Sequence, residues 1–183
     1  LFMNFIAIII LLTIAADFVL NAVADVLNLR ALQDEVPHEF RDVYDADRYR
    51  QSQEYLKVNT RFGWITGTFD LILMLGFWFG GGFPFLDDWA RSWHQGPVVT
   101  GLIFMGTLML AKTVLSLPFS IYDTFVIEER FGFNKTTWKT FVADMLKGLG
   151  LSIVLGVPIL AGVLAFFQYT GGNAWIYCWI TVT

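Results

Sequence analysis

The sequence predicts an all-α fold, a polytopic transmembrane helical bundle with four complete spans and the start of a fifth. Three observations predict it. Hydrophobic residues make up 56% of the 183 and charged residues only 15%, whereas a soluble domain carries about 25% charge. Mean hydropathy is +0.57. The charges also fall in blocks, leaving long apolar runs between them. Such a composition has too little polar surface to coat a water-soluble globule. The single Cys178 excludes an internal disulfide framework. A net charge of −4 argues against a nucleic-acid partner.

The first span is read near residues 3–26. Leu1 to Ala16 carries no charge, and only Asp17 and Asp25 interrupt the run up to Val26. No basic segment precedes it and no small-residue cleavage site follows, so it reads as a span and not a signal peptide. A polar segment runs from Asn28 to Arg61. Within it, Asp45 is placed to cap a charged helix over Ala46–Lys57. Nothing breaks that helix before Phe62, so it can run straight into the second span, near 62–82, whose one charge is Asp70.

A short patch, Asp87–Arg91, separates this from the third span, near 97–118, where Lys112 is the one charge. The fourth is read near 147–168, after a polar connection over Asp123–Lys147. Pro158 inside it predicts a kink. A fifth run begins near 174 and has ten residues to Thr183, about 15 Å of helix against a hydrocarbon core of about 30 Å. The sequence opens and closes inside apolar runs, so a piece of a longer protein is expected. The runs are continuous where barrel strands would alternate. Gly63 with Gly67, and Gly76 with Gly80, have the spacing that permits close helix contact.

Basic residues set the expected orientation. Connections one and three carry nine Lys and Arg, from Arg30 to Lys139, against Arg91 alone on the other side. The positive-inside rule then puts connections one and three in the cytoplasm and the N-terminus outside.

Asp17, Asp70 and Lys112 each lie within a span. A charge at mid-bilayer on an isolated helix costs about 2.5–3.5 kcal/mol, so protein or water should face them. Polar neighbours recur at helical spacing: Thr13, Asp17, Asn21, Asp25 and Asn28 on the first span, and Asn59, Thr66 and Asp70 on the second. Lys112 or Thr113, Ser116, Ser120 and Asp123 do so on the third. Three polar stripes predict a wet interior, with Asp17, Asn21, Asp70 and Lys112 as candidate lining residues. The same residues also suit a structural pair between Lys112 and Asp17 or Asp70, or an ion pathway.

His38-Glu39-Phe40-Arg41-Asp42 begins like H-E-x-x-H, in which two His on one helix face grip zinc while the Glu activates water. Asp42 stands where the second His is needed, and His94 is the only other histidine. No metal or catalytic residue is therefore assigned to this chain. Gly80-Gly81-Gly82 has no phosphate-loop context.

The third connection is the most distinctive: Leu117-Pro118-Phe119-Ser120, then Phe125-Val126-Ile127-Glu128-Glu129-Arg130-Phe131-Gly132-Phe133-Asn134-Lys135-Thr136-Thr137. Gly132 offers a turn between two aromatic anchors. Asn134 or Thr136 is placed to cap a helix beginning near Trp138. Glu128, Glu129 and Arg130 are spaced to exchange salt bridges.

That run resembles the hallmark of type I CAAX prenyl proteases, integral-membrane zinc endopeptidases that mature prenylated proteins. Val36-Pro37, Glu39-Phe40 and the series Tyr44, Tyr49, Tyr55, Arg61-Phe62 are similar to that family's first cytoplasmic segment. The resemblance covers the N-terminal region of five membrane helices. It implies a parent with seven spans around a water-filled chamber and zinc held by H-E-x-x-H and a Glu further along. It also implies cleavage after a prenylated Cys in a C-terminal C-a-a-X sequence. The zinc would polarise the scissile carbonyl and activate water, but the ligands are expected in the parent's C-terminal part. The implied partners are the lipid bilayer, the parent's own C-terminal catalytic domain, and prenylated CAAX or membrane-protein substrates. The implied location is a bacterial inner membrane or the endoplasmic reticulum membrane. A silent scaffold or a transporter fragment using Asp17, Asp70 and Lys112 is the alternative.

Overall fold

The computed structural model describes residues 5–33, 35–36, 45–174 and 179. Its elements are α1 (Phe5–Ala31), α2 (Ala46–Phe79), α3 (Gly82–Arg91), α4 (Pro97–Tyr122), α5 (Trp138–Leu151) and α6 (Val157–Thr170). Among the described residues there is no strand. Four helices are long and apolar enough to cross a membrane: Phe5–Ala31, Ala46–Phe79, Pro97–Glu128 and Trp138–Thr170. The predicted helical membrane bundle is thus the observed class. His38, Glu39 and Asp42 lie outside the described residues. Of the expected fifth span, Ala174 and Trp179 are described and both are helical.

The chain divides into two compact units, Leu1–Leu71 and Ile72–Thr183. In the first, Asp45 caps α2 as its position predicts. Its Oδ1 accepts from the backbone N–H of Asp47 and of Arg48, both at 3.0 Å. From there α2 runs 34 residues without a break, joining the charged segment to the second span. Trp64 donates its indole N–H to Asp25 Oδ2 at 2.8 Å. That bond ties α2 to α1 and satisfies a half-buried carboxylate within a span.

In the second unit the spans are longer than the apolar runs. The third continues past Tyr122 as a π-helical segment, Asp123–Glu128. The fourth begins at Trp138 and passes through a second π segment, Ser152–Gly156, before α6. Residues expected in a polar connection, Asp123 and Glu128 at one end and Asp144 and Lys147 at the other, are therefore helical. The reason is length. Thirty-two residues from Pro97 to Glu128 make about 48 Å of helix, more than the core requires, so the charged turns project beyond it. The second π segment ends just before Pro158. A proline lacks the N–H for an i−4 bond, and a local π turn is one way a helix absorbs that loss.

The described helices bury very little: Leu86, Ala90, Ile127, Phe131 and a few others form the core. In lipid, apolar side chains need not be covered, and close backbone contact does the packing. The GxxxG positions do not supply it. A Cβ at Gly63, Gly67 or Gly76 would meet nothing within 4 Å. Gly101 supplies it instead: a Cβ there would come within 2.8 Å of Leu164, where α4 packs on α6.

Candidate functional site

The distinctive run at the end of the third span forms a helix stop followed by a clamp. Gly132 has φ +71°. Its N–H bonds the Glu129 carbonyl at 3.0 Å, and the Phe133 N–H bonds the Glu128 carbonyl at 2.9 Å. These two bonds make a Schellman motif, which needs a left-handed residue, and glycine adopts that without a Cβ penalty. Asn134 then reaches both ways. Its Nδ2 donates to Glu129 Oε2 at 3.0 Å, and its Oδ1 accepts from the Thr136 N–H at 2.6 Å. The helix α5 is capped by Thr137, whose Oγ1 accepts from the Thr140 N–H at 3.2 Å. Neither Asn134 nor Thr136 is the cap, because the Asn134 side chain is already spent on the turn. Arg130 lies 5.5 Å from the centre of the buried Phe131 ring.

Aromatic packing locks the turn. Phe125 and Trp138 stack at 3.9 Å and 7°, and Phe141 meets Phe125 edge-on at 5.5 Å. Glu128, Glu129, Gly132, the Phe133 N–H and Asn134 thus share the hydrogen bonds that reverse the chain between two spans.

Beside this turn lies an open groove of about 590 Å³. Lys112, Ser116, Ser120, Thr124 and Glu128 line it from one helix, and Asp144 faces it from α5. A ladder spaced by four drifts about 40° per step on an α-helix, since 3.6 residues make a turn. A π turn holds more residues, so its drift runs the other way. The π segment thereby returns Glu128 to the groove that Lys112 enters. The polar stripe read as ending at Asp123 continues through Thr124 instead. Asp123 Oδ1 is buried with no hydrogen-bond partner among the described residues.

The candidates Asp17, Asn21 and Asp70 belong to the first unit. Asp17 and Asn21 are exposed on α1, and Asp70 is exposed on α2. Lys112 is also exposed, and both Asp70 and Lys112 have interaction partners. Sequence reasoning missed Trp64, the donor to Asp25, because nothing in a span's sequence shows which neighbouring helix an indole will reach. It also missed Thr137, although Thr before an aromatic-led helix is an ordinary cap signal. Among the described residues no group of three or more His, Cys, Asp or Glu could hold a metal ion.

The family described as CAAX prenyl protease N-terminal, five membrane helices, matches residues 25–183. The chain belongs to that family. A CAAX prenyl protease 1 homolog of Oryza sativa subsp. japonica is 28% identical over 172 residues, covering 88% of this chain and 40% of the relative. A probable CAAX prenyl protease 1 of Schizosaccharomyces pombe is 32% identical over 161 residues, covering 81% and 34%. The crystal structure of S. mikatae Ste24p matches with TM-score 0.80 at 28% identity, covering 92% of this chain and 41% of that one. The chain thus spans between about a third and two fifths of the length of these relatives. Membership in the CAAX prenyl protease N-terminal family, with four spanning helices, makes this a multi-pass membrane protein.

Proposed function

We propose that this chain is the membrane-embedded N-terminal region of a CAAX prenyl endopeptidase, and that its polar stripes line an intramembrane chamber in the whole protein. The observation that carries the reading is the Lys112–Ser116–Ser120–Thr124–Glu128 ladder along one groove. The part of that ladder inside the span, Lys112, Ser116 and Ser120, is costly in lipid and useful in a hydrated cavity. Asp17, Asn21 and Asp70 are exposed on the other spans, and the same cost argues that water or the rest of the parent faces them. The family supports protein substrates, here prenylated CAAX or membrane-protein C-termini. The parent's C-terminal domain supplies the zinc ligands, and the work of this region is to admit and position the substrate chain. The eukaryotic relatives favour the endoplasmic reticulum membrane, with the N-terminus on the side away from the cytoplasm.

The test is turnover of a prenylated CAAX peptide by the full-length parent. Lys112→Met and Asp70→Leu are expected to lower turnover several-fold while expression and thermal midpoint stay at the parent's values. Unchanged turnover in both variants would sink the chamber assignment.

A further inference from the structure

The short helix α3 is not used by this reading. It is ten residues long, about 15 Å, half of what a span requires. Gly80 and Gly81 precede it, Gly82 is its first residue, and Ser92–Gly96 separate it from α4. Tethers this short keep it at the membrane-water boundary where the spans end. Gly81 makes the reversal possible with φ +76°, and Gly82 lies where a Cβ would strike the Phe77 ring.

The residues of α3 sort onto three sides. Leu86 and Ala90, four apart, are buried where α3 packs on α4. Phe85 and Trp89, also four apart, are exposed; Phe85 is 73% exposed and Trp93, just past the helix end, 56%. The Trp89 and Trp93 rings meet edge to face at 5.7 Å. The remaining side carries Asp87, Asp88 and Arg91. Arg91 Nε donates to Asp87 Oδ2 at 2.8 Å. That hydrogen bond raises the Arg91 pKa above its usual value.

We propose that α3 is an in-plane interfacial helix, with its Phe85–Trp89–Trp93 edge seated in the lipid headgroup zone and its Asp87–Arg91 side in water. A row of bare aromatic rings is unfavourable in water. Trp is enriched at the headgroup level because an apolar body and an indole N–H suit that boundary. The occupant is lipid because α3 is continuous through short tethers with two membrane-spanning helices.

The test uses the 183-residue chain reconstituted in phosphatidylcholine vesicles on a Cys178→Ser background. Phe85→Cys, Asp88→Cys, Trp89→Cys and Arg91→Cys each carry a nitroxide. Oxygen reports lipid exposure and a nickel chelate reports water. Positions 85 and 89 are expected to favour oxygen, at a depth of about 5–10 Å into the headgroup-acyl boundary, and positions 88 and 91 to favour nickel. Nickel access at all four overturns the proposal. Protection of 85 and 89 from both reagents assigns the edge to a protein partner and overturns it equally. Carbene labelling from a headgroup-level diazirine phospholipid needs no substitution in α3. Adducts on Phe85, Trp89 or Trp93 are expected; labelled α4 with none on those rings is the contrary result.

Discussion

Phe125 and Trp138 lie ring against ring, 3.9 Å apart and 7° from parallel, one in the π segment that ends the third span and the other at the first residue of α5. They sit 13 positions apart in sequence, with the Gly132 turn between them. The stack joins two helices that the turn alone would leave free to splay.

Its energy is measurable. Phe125→Ala and Trp138→Ala should each destabilise the chain, and the double variant should lose less than the sum. Aromatic pairs couple by about 0.5–1.5 kcal/mol beyond their burial. A double-mutant cycle on unfolding in mixed detergent reads this directly, and additive losses would remove the stack's role.

Gly132 at φ +71° makes a sharper demand. Gly132→Ala should cost about 1–2 kcal/mol, the penalty of a Cβ in the left-handed region. Gly132→Asn should cost less than Gly132→Val, since Asn tolerates that region and β-branched residues do not. Open space around a Cβ there means the effect is conformational and not steric. Equal costs for Asn and Val would contradict this account.

The Trp64–Asp25 bond is expected to act as a helix-helix tie. Trp64→Phe removes the donor, and Asp25→Leu removes the acceptor. Interhelical hydrogen bonds in membranes couple by about 0.6 kcal/mol and at most about 1.7. Trp64→Phe alone should be the worse single change, because it leaves the half-buried carboxylate without its indole. If the Trp64→Phe variant is as stable as the parent chain, the bond contributes nothing.

Topology can be read by impermeant thiol labelling on a Cys178→Ser background. With the chain expressed in a bacterial inner membrane, a cysteine at Ser52 should stay unlabelled in intact cells and react after permeabilisation. One at His94 should react from outside. The expectation rests on basic residues concentrated in the segments around Ser52 and Lys135. Labelling of position 52 from outside would reverse the orientation.

Much of the architecture was readable before any coordinates, for simple reasons. A bilayer imposes a length and a polarity on each span, and both are written in composition. The continuity of Asp45–Phe79 was readable too, because capping and the absence of a breaker are local. The Glu128–Asn134 run was legible as a resemblance, and Gly132 as a turn, because only glycine adopts that φ at no cost. The helix start near Trp138 was legible from the polar residues before it, but the continuation of the third span past Tyr122 was not. Charged residues look like a connection whether they are coiled or continue a helix into the headgroups, and helix hydrogen bonds do not depend on which side of that boundary they occupy.

The sequence by itself determined the helical membrane class and the four long apolar helices, since each depends on the spacing of residues along one helix. Tertiary structure alone decided which residues meet. Trp64 reaches Asp25, Gly101 admits Leu164 and Thr124, not Asp123, joins the groove. Those outcomes depend on rotation and approach between helices, and a π segment changes that rotation without marking the sequence with any residue of its own.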